Sequence, residues 1–345
     1  MAPQAVSKGS LILVTGTTGY IAAHVTQQLL EGGYKVRGTA RDPESDKSQF
    51  LKDLFKQHGS NFEIVKAGDL EEDNVFDEAV KDVEGIIHIA SPFHFNATDP
   101  YKDLINPAVK GTQSLLDSAH RNGQNVKHIV VTSSVAAIYG PAKTENYVYT
   151  EEDWNDKAVE EIEQDKGKKD FNKATAYRAS KNAAERYAWK FQTEQNPRFG
   201  LSTINPSFVF GPVIHKVKDV ESINTSVALL FKYFHDPAEI GLAGPTQQFV
   251  DVRNVAQAHI AAIERPEASG KRFILSQGPF TWQQVVDVLS KQYPERKAAQ
   301  GGDGAGKYKV QYGTDNTQSR TVLGIDYIDL QKTVVDTIES LQQFW

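Results

Sequence analysis

The sequence lacks cysteine altogether, and it has no excess of positive charge. Without cysteine, a disulfide framework, a cysteine-ligated zinc or iron–sulfur site and a thiolate nucleophile are excluded, and no metal site is predicted. The 38 Lys and Arg residues are outnumbered by 44 Asp and Glu, which gives a formal net charge of −6. A general nucleic-acid-binding protein needs a basic surface to neutralise phosphates, so nucleic acid is not expected as a partner.

Long apolar runs are missing as well. The N-terminal sequence MAPQAVSKGS has no apolar core of the signal-peptide kind, and the longest apolar stretches are too short to span a membrane. A cytoplasmic protein without a membrane partner is therefore expected. Hydrophobic residues still make up 39% of the 345 residues and recur along the whole chain, which predicts a packed core.

Short apolar runs alternate with helical patterns over the first two thirds of the chain. Strands are predicted at 11–14, 34–39, 62–65, 85–90, 126–132 and 201–205, and helices at 21–30, 71–81, 106–122 and 174–195. Repeated strand–helix–strand units form right-handed crossovers, so the pattern predicts an α/β fold with a Rossmann-type, doubly wound parallel sheet.

The last third differs because prolines interrupt it. Helices are predicted near 223–235, 281–292 and 328–343, with a strand near 272–275. A mobile loop is predicted at 300–306 and a flexible charged rim at 154–173. We expect a main domain over 1–205 and a smaller mixed lobe over 206–345, partly interleaved with it, that forms the second wall of the ligand cleft.

A glycine pattern, G-x-x-G-x-x-A, joins the first strand to the first helix. Gly16 permits a tight turn, Gly19 lets a pyrophosphate approach the backbone, and Ala22 allows close packing of helix on strand. The helix N-terminus offers free N–H groups and partial positive charge to the phosphates. The turn therefore predicts a dinucleotide site, with further contacts expected from Thr18, Tyr20 and Ile21.

The second strand indicates which dinucleotide binds. NAD enzymes usually carry an acidic residue about 20 residues beyond the glycines, where it bonds the ribose 2′-OH. Here no carboxylate occurs in the second strand or after it until Asp42, whereas Arg41 stands at the strand end and Lys47 follows it. A guanidinium binds a 2′-phosphate through a charge-assisted fork, so NADPH/NADP⁺ is the predicted cofactor.

Two further strand ends are predicted to contact this cofactor. Asp69 and Leu70 follow the third strand, where the Asp69 carboxylate is placed to accept from the adenine amino group. Ala90 ends the fourth strand, beside the expected pyrophosphate and nicotinamide ribose.

The candidate catalytic residues follow the fifth strand and open the next long helix. Tyr177 and Lys181 are four residues apart and share one helix face. We expect the ammonium to lower the tyrosine pKa and to hold the nicotinamide ribose, while Tyr177 donates a proton to a substrate carbonyl that receives hydride from the cofactor. Ser134 is predicted to stabilise the substrate oxygen, with Ser133 as second choice.

With these residues in place, the chain resembles an extended short-chain dehydrogenase/reductase. It is most similar to the branch of dihydroflavonol reductases and fungal aldehyde, methylglyoxal and carbonyl reductases. The resemblance covers roughly residues 10–290 and lies in VTG at 14–16, GYI at 19–21, VRGTAR at 36–41, HIASPF at 88–93, VTSS at 131–134, Tyr177 with Lys181, and NPSFVFGP at 205–212.

The resemblance implies a triad of Ser134, Tyr177 and Lys181 in an NADP-dependent aldehyde or carbonyl reductase. It also implies that Arg41 reads the 2′-phosphate while Arg37 points away. Further cofactor contacts are implied for Pro206, Val209 and Ser226, and a substrate cleft lined by Phe93, Tyr139 and Phe208. For Tyr139, ordinary core packing stays an equal alternative.

Two other functions stay open at this point. A nucleotide-sugar epimerase or dehydratase shares the Tyr–Lys chemistry, and a non-catalytic NADP-binding sensor shares the cofactor turn. Arg41 disfavours the first, and the presence of both Tyr177 and Lys181 disfavours the second. The sequence identifies neither the natural carbonyl substrate nor the choice between monomer and homodimer.

Overall fold

The structure is a computed structural model that describes residues 4–91, 97–165, 171–235, 242, 246–295, 310 and 312–345. The strands are β1 (Leu11–Val14), β2 (Lys35–Ala40), β3 (Phe62–Lys66), β4 (Gly85–His88), β5 (His128–Thr132), β6 (Val148–Tyr149), β7 (Gly200–Pro206), β8 (Phe208–Phe210), β9 (Gln247–Asp251), β10 (Lys271–Leu275), β11 (Gly278–Phe280) and β12 (Gly313–Thr314).

The α-helices in these residues are α1 (Tyr20–Glu31), α2 (Asp46–Leu54), α3 (Asn106–Asn122), α4 (Asp156–Gln164), α5 (Lys173–Gln195), α6 (Thr225–His235), α7 (Val252–Glu264), α8 (Trp282–Gln292), α9 (Thr317–Thr321) and α10 (Leu330–Glu339). A single π-helical turn, Tyr101–Ile105, leads directly into α3. No helix of the described segments is long and apolar enough to cross a membrane.

Seven parallel strands form the central sheet in the order β10-β7-β5-β4-β1-β2-β3. The order reverses between β1 and β4, which are hydrogen-bonded neighbours although two strands separate them in the chain. Ligands of such sheets bind at this reversal, outside the carboxyl ends of the strands. The predicted fold class is thus confirmed.

The sheet buries both of its faces. Successive side chains of a strand point to opposite sides, so Ile12 and Val14 enter one hydrophobic core and Leu13 the other. The first core is closed by α1, α7 and the C-terminal helices, the second by α3 and α5. Burial on both faces explains why these strands are continuous apolar runs.

The last third of the chain contributes to two sheets. β10 extends the central sheet by pairing with β7, while β8, β9 and β11 form a separate three-stranded sheet. This smaller mixed sheet agrees with the predicted C-terminal lobe. Because β10 belongs to the central sheet, the division at residue 205 stays a prediction.

Most helices begin at a side-chain cap, which explains their positions in the chain. Asn172 Oδ1 accepts from Thr175 N at 3.0 Å and starts α5, and Asp251 Oδ1 accepts from Arg253 N at 2.9 Å and starts α7. Helix α5 ends where Asn196 adopts a left-handed conformation with φ 41°.

The predicted helix at 71–81 is wrong. The segment consists of turns, with one helical hydrogen bond from Val80 N to Phe76 O. Asn74 and Asp82 have φ of 66° and 64°, and residues with this left-handed conformation interrupt an α-helix. Phe76 and Val80 are still buried in the second core. The apolar spacing therefore predicted correctly which residues are buried, but it predicted the wrong secondary structure.

Four further expectations need correction or fall outside the described residues. The segment predicted as a flexible rim contains α4, which Asn155 caps by accepting from Ala158 N at 3.3 Å. The predicted strand 85–90 ends at His88, because the N–H groups of Ile89 and Ala90 both bond Thr15 Oγ1 at 3.0 Å. The predicted loop at 300–306 and Phe93 lie outside the described residues.

Candidate active site

The glycine turn after β1 has the shape that a phosphate needs. Gly16 has φ +65°, and a Cβ on it would lie 3.1 Å from Ala90 Cβ. Gly19 is exposed and precedes α1 without any side-chain cap, and the first return bond runs from Ala23 N to Gly19 O at 2.9 Å. Because Gly19 N itself bonds Gly16 O at 2.9 Å, the donors at the positive end of the helix are the first-turn N–H groups of Tyr20, Ile21 and Ala22, and this end of the turn fits a pyrophosphate.

The other predicted residues of this turn take different positions. Thr18 and Ile21 are half-buried beside the exposed glycine. Tyr20 is buried instead, and its hydroxyl donates to Gly211 O at 2.8 Å. Burial raises the pKa of this phenol well above its usual value. The Tyr20 side chain therefore packs away from the turn, and only its backbone N–H is available to a phosphate.

A second layer of residues fixes the turn from behind, and sequence reasoning missed it. Thr39 Oγ1 accepts from Gly16 N at 3.1 Å, and Thr15 Oγ1 bonds His88 Nδ1 at 2.9 Å. A Cβ on Gly38 would come within 2.6 Å of Thr17 Cγ2. A glycine in the middle of β2 was the available signal, because it marks a close approach of another segment.

The cations predicted for the 2′-phosphate lie at the exposed end of β2. Arg41 follows the strand directly, is exposed, and has no ion-pair partner in the described residues. Arg37 points elsewhere, as expected, because its guanidinium bonds Glu63 at 2.7 Å and the carbonyl of Lys81 at 2.8 Å. Lys47, in the first turn of α2, is close enough to His215 to help burial lower the pKa of that imidazole to about 4.

The remaining predicted cofactor contacts surround the same edge of the sheet. Asp69 is exposed after β3, and its Oδ1 accepts from Glu71 N at 3.1 Å. Leu70 is half-buried near Gly111, whose added Cβ would lie 3.4 Å from Leu70 Cβ. Ala90 lies against Gly16, which brings the end of β4 to the phosphate turn.

The predicted cofactor contacts Pro206, Val209 and Ser226 lie at the end of β7, in β8 and at the start of α6. Ser226 Oγ donates to Val209 O at 2.6 Å, and Asn224 Nδ2 donates to Ser226 Oγ at 3.2 Å. Pro206 is buried at the end of β7. Ser226 is thus held against Val209 at the start of α6, and its hydroxyl already has an internal acceptor.

Tyr177 and Lys181 share one face of α5, as predicted. Lys181 Nζ donates to Ser91 Oγ at 3.0 Å and lies 5.9 Å from the centre of the Tyr177 ring. Burial lowers the pKa of Lys181 to about 8, while the Glu185 carboxylate acts against this shift. The ammonium and the phenol therefore meet beside the end of β4.

The pKa of Tyr177 does not shift in the expected direction. Burial raises it, and a hydrogen bond with the Ser134 side chain lowers it only in part. The phenol is consequently protonated at neutral pH, which is the form that a proton donor needs.

Of the two adjacent serines, Ser134 has the available hydroxyl. It accepts from Ala136 N at 3.1 Å, contacts Pro206 O at 3.5 Å and reaches the Tyr177 side chain. Ser133 is buried, and its hydroxyl donates to Glu185 Oε2 at 2.5 Å. This arrangement supports the first choice and gives the second choice a different partner.

Two of the predicted substrate-binding aromatic residues, Tyr139 and Phe208, lie in the described part of the chain, and they contact different partners. Tyr139 packs among other tyrosines, with ring centres 4.8 Å from Tyr149 and 5.2 Å from Tyr312, and its hydroxyl bonds Thr314 Oγ1 at 2.7 Å. These contacts agree with the alternative in which Tyr139 packs in the core. Phe208 is 38% exposed at the start of β8 and stacks on Phe210. An exposed aromatic ring at this position is free to meet an apolar substrate.

These features define a nucleotide-binding α/β protein with a serine–tyrosine–lysine group at the switch point of its sheet. The model of the NAD dependent epimerase/dehydratase family matches residues 12–276. The chain belongs to this family.

Individual relatives cover nearly the whole chain. It is 35% identical to a putative NADPH-dependent methylglyoxal reductase of Candida albicans over 97% of this chain and 99% of the relative. It is 36% identical to a ketoreductase of Aspergillus niger over 96% of this chain and 97% of the relative. The structure of Candida albicans Gre2 in complex with NADPH superposes with a TM-score of 0.87 at 35% identity, over 97% of this chain and 99% of that one.

Proposed function

We propose that this protein is an NADPH-dependent reductase that converts aldehyde or ketone carbonyls to alcohols, with Tyr177 as the proton donor. The observation that carries the proposal is that the side chains of Ser134, Tyr177 and Lys181 lie close together. The Ser134 side chain is close enough to the Tyr177 phenol to lower its pKa, and the Lys181 ammonium lies 5.9 Å from the centre of the phenol ring. Relatives named as NADPH-dependent reductases and as a ketoreductase support the same reaction class.

The described residues fit the cofactor. The turn at Gly16 and Gly19 leads into α1, whose first-turn N–H groups are left for the pyrophosphate, and Gly16 has φ +65° with only 3.1 Å between an added Cβ and Ala90 Cβ. Arg41, which has no ion-pair partner among the described residues, supplies a guanidinium at the end of β2 for the 2′-phosphate. When bound, NADPH supplies the hydride that the carbonyl carbon receives.

The protein's own residues handle the oxygen of the substrate. Ser134 donates a hydrogen bond to the carbonyl oxygen and stabilises its developing negative charge. Tyr177 then donates its phenolic proton to that oxygen, which completes the alcohol. Lys181 stabilises the resulting phenolate through its positive charge, until a proton from solvent restores the phenol.

The test is oxidation of NADPH, followed at the absorbance band of the reduced nicotinamide. The panel contains aldehydes, α-dicarbonyls, β-keto esters and aryl ketones, each with NADPH and with NADH. We expect oxidation of NADPH by some of these and much slower oxidation of NADH. Binding of NADPH without oxidation by any of them contradicts the proposal and favours a nucleotide-sugar epimerase or dehydratase, or a non-catalytic NADP-binding protein.

A further inference from the structure

A buried carboxylate lies one helical turn beyond Lys181, and the proposed reaction does not use it. The Glu185 side chain is fully buried on α5, and both of its oxygens accept strong hydrogen bonds. Oε1 accepts from Arg272 Nε at 2.6 Å and from Thr203 Oγ1 at 2.9 Å. Oε2 accepts from Ser133 Oγ at 2.5 Å and from Asn205 Nδ2 at 2.7 Å. Donors from β7, β10 and the end of β5 thus converge on this one carboxylate.

Arg272 fixes this carboxylate to the last third of the chain. The guanidinium comes from β10 and also donates from Nη1 to the carbonyls of Glu151 at 2.5 Å and Asp153 at 2.7 Å. It lies over the Trp154 ring at 3.7 Å. These contacts hold the Arg272 guanidinium in place, and through it they fix the position of the Glu185 carboxylate.

Glu185 also connects directly to the strand end that carries the candidate catalytic serine. Asn205 donates to Glu185 Oε2 and, at 3.2 Å, to the backbone carbonyl of Ser134. Ser133, which precedes Ser134, is bonded to the same carboxylate oxygen. The direction in which Ser134 leaves β5 is thus set by groups that converge on Glu185.

Lys181 and Glu185 face a common space. Both line a cavity of about 10 Å³, together with Ser91, Thr112 and Ser133. His88 also lines this cavity, but burial and Lys181 lower the pKa of its imidazole to about 3, so it is neutral. The Glu185 carboxylate raises the pKa of Lys181 against the effect of burial. The charges facing this region are therefore Lys181, Glu185 and Arg272.

We propose that Glu185 is a positioning residue, which keeps the buried Lys181 in its cationic form and fixes the strand end that presents Ser134. The proposal rests on the proposed function for its consequence in catalysis, but the charge state of Lys181 is testable without turnover. Because a cationic lysine is required beside Tyr177, activity falls as pH rises through the pKa of Lys181. Removing the carboxylate lowers that pKa and moves the loss of activity to lower pH.

The first experiment is the pH profile of kcat and kcat/KM for Glu185→Gln, which keeps the shape and removes the charge. We expect the alkaline limb to move down by about one pH unit or more, since an opposite charge within one helical turn has been removed. We also expect kcat to fall more than the KM of the carbonyl substrate rises. Glu185→Asp keeps the charge and should restore the limb toward the wild-type position.

The matched control is Asp251→Asn. Asp251 is another fully buried carboxylate with an arginine partner, Arg253 at 2.7 Å, and a threonine donor, Thr333 at 2.9 Å. It caps α7 and is remote from Lys181 in the fold, so its loss destabilises the protein without moving the alkaline limb. An equal shift in both variants overturns the proposal, because it would then reflect general loosening.

An activity-independent measurement separates this proposal from the proposed function. In protein labelled at the lysine ε-carbon, the NMR signal of Lys181, identified by its absence in Lys181→Arg, titrates with the ammonium. We expect its midpoint to be lower in Glu185→Gln than in the wild type, whether or not any carbonyl is reduced. An unchanged midpoint overturns the proposal even if the enzyme is active.

A second variant covers the case in which Glu185→Gln does not fold. An unpaired buried guanidinium is strongly destabilising, whereas removing both charges is often tolerated. In Glu185→Gln with Arg272→Gln no charge is stranded. Glu185 lines the cavity with Lys181 whereas Arg272 does not, so loss of the Arg272 charge offsets the shift only in part, and a smaller downward shift of the Lys181 midpoint should remain in the double variant. Its absence there overturns the proposal.

Discussion

Replacing Arg41 by alanine should remove most of the preference for NADPH over NADH. Arg41 follows β2 directly, is exposed and has no ion-pair partner in the described part of the chain, so its guanidinium is free to receive the 2′-phosphate. NADH lacks that phosphate, and its binding should change little. The substitution therefore weakens the binding of NADPH selectively and leaves the phosphate turn at Gly16 intact.

The magnitude follows from the kind of contact. A hydrogen bond to a charged group contributes about 1.5–3 kcal/mol. Because Arg41 is exposed, solvent and salt screen the charge, and the lower part of this range, about 1.5–2 kcal/mol, applies. At about 1.4 kcal/mol per factor of ten, the KM for NADPH should rise about 10- to 30-fold, with kcat nearly unchanged.

The assay compares kcat/KM for both cofactors in the wild type, Arg41→Ala and Arg37→Ala. Arg37 is the matched control, since it lies on the same strand but is held by Glu63 at 2.7 Å. Arg37→Ala should leave the ratio of NADPH to NADH as it is. A preference that survives in Arg41→Ala would refute the assignment, and a loss in Lys47→Ala instead would transfer it to that residue.

Three further predictions concern the turn, acid stability and the serine pair. Gly38→Ala places a Cβ 2.6 Å from Thr17 Cγ2, so we expect a several-fold higher KM for NADPH and a loss of about 1–3 kcal/mol in urea unfolding. Burial lowers the pKa of His128 to about 4, and the unfolded chain therefore binds the proton first as pH falls below about 6.5. The free energy of unfolding should therefore fall by about 3 kcal/mol between pH 6.5 and pH 4 through this residue alone. Urea unfolding at pH 7 and pH 5 measures this loss, and an equal loss in His128→Gln and in the wild type would contradict the prediction. Ser134→Ala should lower kcat about 100-fold, whereas Ser133→Ala should mainly lower the melting temperature. A large loss of kcat in Ser133→Ala, with kcat nearly unchanged in Ser134→Ala, would instead identify Ser133 as the catalytic serine.

The sequence predicted the central sheet because its strands are buried on both faces and read as continuous apolar runs. Because the carboxyl ends of parallel strands meet at one edge, it also predicted a single site formed by Gly16, Gly19, Arg41, Tyr177 and Lys181, and their roles stay predictions. These positions follow from local pattern and topology alone.

Other elements depend on contacts that local pattern does not contain. The turns at 71–81 keep a helical spacing of buried residues, but two left-handed residues, Asn74 and Asp82, break the helix. α7 and the small sheet of β8, β9 and β11 were not predicted, because their short or alanine-rich segments are stabilised by packing across the chain. Tyr20 was expected at the cofactor, yet its phenol bonds Gly211, a residue 191 positions away.

The buried network around Glu185 shows the same limit within the site. Its partners Ser133, Thr203, Asn205 and Arg272 come from β7, β10 and the end of β5. Nothing in the sequence near Glu185 distinguishes it from an ordinary exposed helical glutamate. Only the fold brings these four donors from distant strands to one carboxylate, where Trp189 of the same helix also donates at 3.4 Å.

The role of Tyr177 as proton donor is tested most directly by Tyr177→Phe. NADPH binding is measured by fluorescence titration, and turnover by NADPH oxidation with the best carbonyl substrate of the panel. Because only the phenolic hydroxyl is removed, the account predicts a Kd for NADPH within about twofold of the wild type and a kcat at least about 100-fold lower. A kcat within a few-fold of the wild type would contradict the account.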